Sequence, residues 1–341
     1  MSGLLPEETA QMIRILVTGV GSLLGQGILK SLADSSLNCR VTGTDYFPSA
    51  VGLYWVDKGY LLPDILKPEI DEENWIDALI QVINQEKINI VLPGLDFEIP
   101  ILARNKPAIE KQTGAVLVVS SEKVVTIGND KWESVNYLKT KSFTCPESCL
   151  PDEIDNFLRS NSFSLIVKPR FGHTSENVFL VKNKTELYEA IQQCDKPIIQ
   201  EYLGDPDREY TCGATCIDNQ VITLISLRRT LKNGNTQQAF CEKTDEIDKY
   251  VRKLTLSLNP YGPINFQLRL TDRGPVVFEI NPRFSGTTPI RALFGVNEVE
   301  AVVNRIMGTK TGNDYKEKDG VVIRYFENLF IPWDQYRIYS P

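Results

Sequence analysis

Glu279, Asn281 and Arg283 follow one another at two-residue spacing in Val277-Phe278-Glu279-Ile280-Asn281-Pro282-Arg283. On a strand, alternate side chains share a face, so the Glu279 carboxylate and the Asn281 amide oxygen converge on one point. Hard oxygen donors of that kind suit Mg2+. Pro282 ends the strand, and a guanidinium beside a bound metal matches a terminal phosphate or a carboxylate in bidentate fashion. One strand earlier, Asn265-Phe266-Gln267 repeats the spacing, which lets Gln267 lie across the sheet from Glu279. Taken alone, such a Glu and Asn read as an ordinary exposed strand end.

Their company argues otherwise. Leu165-Ile166-Val167-Lys168-Pro169-Arg170 ends an apolar strand on a lysine, a costly residue to bury unless an anion meets it. The polar loop Phe171-Gly172-His173-Thr174-Ser175 could cover phosphates with N–H and hydroxyl groups. His173, the single histidine, fits the loop surface better than a base, because phosphoryl transfer needs positioning and charge neutralisation more than proton transfer. Ile198-Ile199-Gln200-Glu201-Tyr202-Leu203 runs from strand into turn and offers backbone donors and acceptors beside apolar side chains, as an adenine edge requires. Glu209, at the next strand's start, could hold ribose hydroxyls.

A second candidate site lies near the N-terminus. Gly19-Val20-Gly21-Ser22-Leu23-Leu24-Gly25 follows a strand and opens a helix, with Asp45 ending the next strand. This is a dinucleotide-type context, in which Asp45 would accept from a ribose hydroxyl. Equally, any tight strand-to-helix turn needs glycines for positive φ and close packing. The downstream motifs favour that plainer reading.

The elements that must position these residues fall into three lobes. Residues 1–120 alternate apolar strands with helices, the pattern of a parallel sheet covered on both faces, and predict a doubly wound, Rossmann-like lobe. Residues 121–205 comprise a helical link and a small α+β unit. Residues 206–341 carry longer alternating strands and predict a mainly antiparallel sheet.

With 341 residues and a net charge of −7, the chain is long enough for two or three cores and repels polynucleotides and anionic lipid, so its partners are expected to be small molecules. No apolar run is long enough to span a membrane, and the acidic N-terminal stretch has no basic leader, so a cytoplasmic location is expected. The seven cysteines form no disulfide framework. Cys145/Cys149 and Cys212/Cys216 are too widely spaced, with one histidine in the chain, for a standard zinc site.

Across roughly residues 13 to 307, these motifs taken in order resemble the ATP-grasp superfamily, in particular the halves of the carbamoyl phosphate synthase large chain and the ligase-like proteins related to it. The resemblance implies a pre-ATP-grasp lobe followed by a two-lobed ATP-grasp fold, with ATP and Mg2+ (or Mn2+) as cofactors. It further implies that Lys131, in Asn129-Asp130-Lys131, and Lys168 contact phosphates, with Gly172, Thr174 and Ser175 covering them. Gln200, Glu201, Tyr202 and Leu203 would form the adenine hinge, with Glu209 on ribose. Gln267, Glu279 and Asn281 match the metal ligands, Arg283 would steady the transferring phosphoryl group, and Arg228 (with Arg229 beside it) is a weaker match to a phosphate-facing arginine. The covering loop departs from the family in holding only Gly172, and Gln267 stands where many ligases place an acid. The expected activity is an ATP-dependent ligase joining a carboxylate to an amine through an acyl phosphate. The homodimer common among relatives is a further expectation. The rivals are a non-catalytic ATP-binding regulatory module and, on the glycine loop and Asp45 alone, an NAD(P)-dependent oxidoreductase.

Overall fold

The first lobe begins with β1 (Ile13–Thr18), α1 (Leu23–Ala33), β2 (Cys39–Asp45) and β3 (Lys58–Leu61), then continues through α2 (Glu72–Glu86), β4 (Ile90–Leu92), α3 (Glu98–Thr113) and β5 (Val116–Leu117). The computed structural model describes residues 12–172, 177–309, 315–336 and 338–339. The five strands are parallel in the order β3-β2-β1-β4-β5, so the apolar runs are buried on both faces, as the alternating pattern predicts.

Helices α4 (Glu122–Asn129) and α5 (Lys131–Thr140) lead to the small lobe, made of β6 (Ser148–Cys149), α6 (Ile154–Ser160), β7 (Leu165–Pro169), β8 (Phe179–Val181), α7 (Lys184–Gln193) and β9 (Pro197–Glu201). Its antiparallel sheet runs β6-β9-β7-β8 and closes its own core around Leu165, Val167, Leu187 and Ile199. The third lobe contains β10 (Glu209–Ile217), β11 (Gln220–Lys232), β12 (Asn235–Cys241), α8 (Asp245–Leu258), β13 (Gly262–Thr271), β14 (Gly274–Asn281), α9 (Thr288–Leu293), α10 (Glu298–Met307) and β15 (Gly320–Ile323). Six antiparallel strands stand in the order β14-β13-β10-β11-β12-β15.

Ile127, Val135 and Leu138 of α4 and α5 share a core with Ile264, Phe266 and Val277, so these helices belong with the large antiparallel sheet rather than the small lobe. The first and third lobes are themselves fused: Ile28 and Leu32 of α1 pack in one cluster with Phe284, Val299 and Val303. Gly27 permits this approach, since a Cβ there would lie 2.9 Å from Pro289 Cδ. Both lobes therefore form one rigid floor under the site. All seven cysteines are unpaired, six of them buried, and among the described residues no group of His, Cys, Asp and Glu forms a metal cluster. No helix among them is long and apolar enough to cross a membrane.

Candidate active site

A cleft of 2480 Å3 runs between the three lobes, and Lys131, Lys168, Gln267, Glu279 and Arg283 all line it. Sheet geometry accounts for the convergence. Strands β13 and β14 pair with Gln267 opposite Glu279 and Asn265 opposite Asn281, the register expected from the two-residue spacing. Asn281 Nδ2 donates to Glu279 Oε1 at 2.9 Å, and Arg283 Nη2 donates to Asn281 Oδ1 at 3.3 Å. Burial opposes the Glu279 charge, but Lys131, the Asn281 amide and Lys168 together hold its carboxyl below the ordinary value.

The two lysines enter from the other side. Lys168 sits on buried β7, where its Nζ donates to the Phe278 carbonyl at 3.4 Å and lies 5.5 Å from the Phe278 ring centroid. Burial, reinforced by neighbouring Lys131, pushes its ammonium down to about 8. Lys131 opens α5, and its Nζ donates to the Gly172 carbonyl at 2.9 Å, tying the start of the covering loop to the site. Burial lowers its pKa as well, against the pull of Glu279 and Asp130. Two desolvated ammonium groups facing one half-buried carboxylate leave this part of the site short of negative charge, which suits a polyphosphate.

The segment expected to meet adenine is held by backbone and side-chain hydrogen bonds. Gln200 is buried, with its Nε2 donating to Ser148 Oγ at 2.9 Å. The N–H groups of Glu201 and Tyr202 donate to the carbonyls of Glu147 and Ser164, whereas the N–H of Leu203 makes no backbone hydrogen bond among the described residues. The Glu201 carboxylate turns aside to Arg273 and to the Glu147 N–H, so that residue can serve the hinge only through its main chain. Glu209 lines the cleft but is clamped, with Oε1 accepting from Arg229 Nη2 at 2.8 Å and Oε2 from Arg269 Nη2 at 3.1 Å. Thr174 and Ser175, like His173, lie outside the described residues.

One expectation needs correction. Arg228 does not face the cleft. Its Nε donates to Glu242 at 2.8 Å and its guanidinium lies over Phe240, because consecutive residues of β11 point to opposite faces. Arg229 takes the inward place and donates from Nη2 to Gln267 Oε1 at 2.8 Å as well as to Glu209. The glycine loop takes the plainer reading that the sequence favours. Asp45 is consumed by its own turn, accepting from the N–H groups of Gly21 and Tyr46 at 2.7 Å each. A Cβ at Gly25 would lie 2.1 Å from the Gly19 carbonyl, so that glycine serves the helix's close packing on the turn.

Asp96 escaped the sequence reading. Its Oδ1 accepts from Arg283 Nε at 2.6 Å, so the first lobe positions the guanidinium that the third lobe supplies. The one sequence hint was its place just after β4, at the carboxyl edge of a parallel sheet where ligand sites of such sheets collect.

The donor types of Glu279, Asn281 and Gln267 fit Mg2+ as one carboxylate and two amide oxygens, the amide oxygens here accepting from Arg283 and Arg229, a sparse set that would leave positions for water and phosphate oxygens.

Comparison with known proteins agrees with this geometry. A family model described as ATP-grasp in the biosynthetic pathway with Ter operon matches residues 193–329, and one described as PylC-like, N-terminal domain matches residues 15–118. The carbamoyl phosphate synthase large chain of Helicobacter pylori (strain J99) is 22% identical, over 96% of this chain and 32% of that protein. The chain thus spans about a third of that relative's length. Among solved structures, the biotin carboxylase domain of Hydrogenobacter thermophilus 2-oxoglutarate carboxylase, in complex with MgADP, ADP and bicarbonate, superposes with a TM-score of 0.70 at 12% identity, covering 91% of this chain and 74% of that one. An L-amino acid ligase from Bacillus licheniformis gives 0.68 at 16% identity, covering 91% and 78%. Both share the fold. The two family models fall on the first lobe and on the end of the small lobe with the antiparallel sheet, so residues 193–329 are similar to the ATP-grasp family and residues 15–118 to the PylC-like N-terminal domain.

Proposed function

We propose that this chain is an ATP-dependent ligase that activates a carboxylate as an acyl phosphate and transfers the acyl group to an amine, releasing ADP and phosphate. The observation that carries this reading is the convergence at one cleft of buried Lys168 and half-buried Lys131, neither ammonium bonded to a carboxylate among the described residues, with Glu279, its hydrogen-bonded neighbour Asn281, and Gln267 across the sheet. Lys131 and Lys168 would neutralise the triphosphate, and Arg283, steadied by Asp96, would bear on the phosphoryl group as it moves to the acid. Mg2+ held by Glu279, Asn281 and Gln267 would supply further charge neutralisation between phosphate oxygens. The Leu203 N–H would meet the adenine, and Glu209, fixed by its two arginines, would accept from ribose. The gap between the lobes is large enough for an acid beside the nucleotide, since drug-sized ligands occupy about 300–1,000 Å3. Mass spectrometry of products formed from Mg·ATP with pooled acids and amines tests the bond formed. An amide appearing together with ADP supports the reading, and ADP with no coupled product counts against the acyl-transfer half of it.

A further inference from the structure

Arg324 follows β15 and is locked there by its backbone, which donates to the Gln237 carbonyl at 2.9 Å and accepts from Gln237 Nε2 at 2.8 Å. Its half-buried guanidinium faces the cleft and donates to the Gly286 carbonyl. Arg283 Nη1 donates to the Phe284 carbonyl at 3.1 Å, so two arginines from different strands meet on one three-residue turn. That turn also abuts the first lobe, because a Cβ at Gly286 would lie 2.6 Å from Leu23 Cδ2 at the start of α1.

The two arginines differ in charge balance. Arg283 is matched by Asp96, and Arg170, Arg229, Arg269 and Arg291 are likewise each matched by an acid. Among the described residues, no carboxylate lies within ion-pair distance of Arg324. Burial alone moves its pKa, downward, with no neighbouring charge to oppose it. In a protein of net charge −7, a shielded cation kept clear of acids at the edge of a reaction cleft calls for an anion from outside.

We infer that Arg324 is a substrate-binding residue that grips the carboxylate of the acid substrate beside the Phe284–Gly286 turn, next to Arg283. The inference rests on the ligase reading and names its substrate class: a free carboxylic acid, entering between α1 and the segment after β15. Leu23 and Gln26 on one side and Tyr325 on the other line this part of the cleft.

Calorimetric titration in the presence of Mg·AMP-PNP tests it, with the twenty protein L-amino acids, acetate, malonate, succinate and benzoate as probes. At least one acid should bind the wild type. Arg324→Gln should weaken that acid by about 10- to 100-fold, the worth of a charge-assisted pair, and Arg324→Lys should recover part of the loss. Affinity for Mg·AMP-PNP should stay unchanged in both variants, which also shows that they fold. Binding of the acid to R324Q as tightly as to wild type, or no binding of any probe to wild type, overturns the inference. Arg324-dependent binding without ADP release would instead sink the ligase reading and leave this one standing.

Discussion

Lys168→Met should make the nucleotide-free protein more stable and the nucleotide-bound protein weaker. The lysine is 7% exposed, and burial takes its ammonium from 10.5 to about 8. That difference corresponds to about 3 kcal/mol of destabilisation in the empty, metal-free protein at neutral pH. The sign follows from protons bound: below pH 8 both folded and unfolded chains carry the charge and the cost is full, whereas between 8 and about 10.5 the folded chain alone sheds it and stability recovers. Methionine keeps the apolar stem beside Phe278 without the charge, so up to about 3 kcal/mol should return, less a fraction for imperfect packing. The same change removes a phosphate partner worth about 1.5–3 kcal/mol, or roughly 10- to 100-fold in nucleotide affinity. Calorimetric melting at pH 7 in EDTA, paired with Mg·AMP-PNP titration, reads both. A lower melting temperature together with unchanged nucleotide affinity would refute the idea that this lysine is held at a folding cost for the sake of an anion.

Further outcomes follow from the same geometry. Arg229→Ala should cost about 1.5–3 kcal/mol of stability, since Glu209 Oε1 loses its charged partner while Oε2 keeps Arg269, whereas Arg228→Ala, on the opposite face and partnered by half-exposed Glu242, should cost under about 1 kcal/mol; urea midpoints separate the two. Asp96→Asn should lower turnover by about tenfold or more with little change in nucleotide affinity, since it loosens Arg283, and steady-state kinetics beside calorimetry would show the split. In the first lobe, burial raises the Glu98 carboxyl to about 7, against hydrogen bonds from Thr18 and Tyr46. Between about pH 4.5 and 7 the folded state keeps a proton that the unfolded state has lost, so this group makes stability fall with rising pH, by at most about 1.4 kcal/mol per pH unit. Glu98→Gln should remove that component from a denaturation series across pH.

The parts of the site legible in the sequence are those set by local periodicity. Period two in β13 and β14 places Gln267 opposite Glu279, and a lysine ending an apolar strand announces Lys168 by its cost. The choice between Arg228 and Arg229 was not legible in the same way, because β11 is apolar on both faces and parity alone does not name the inner one. The fully buried Ile225 and Leu227 share Arg229's parity, and extending that row along the strand is the signal that identifies it. Asp96 lies 187 residues from Arg283, a pairing made only when the first and third lobes fuse through α1 and α10. Helix α4 is amphipathic, but its pattern says that it needs an apolar partner, not which sheet provides it, and α5 carries only a weak pattern of its own. Arg324 stayed hidden because a short edge strand after a long connection carries little pattern of its own.

The central claim is tested most directly by ADP release from Mg·ATP in the presence of pooled amino acids and small carboxylic acids, with Glu279→Ala as control. The account predicts that at least one pool stimulates release in the wild type and that the variant, lacking its only carboxylate metal ligand, loses the stimulation by a factor of about 100 or more. Tight nucleotide binding with no stimulation by any pool, or stimulation that survives in Glu279→Ala, would contradict it.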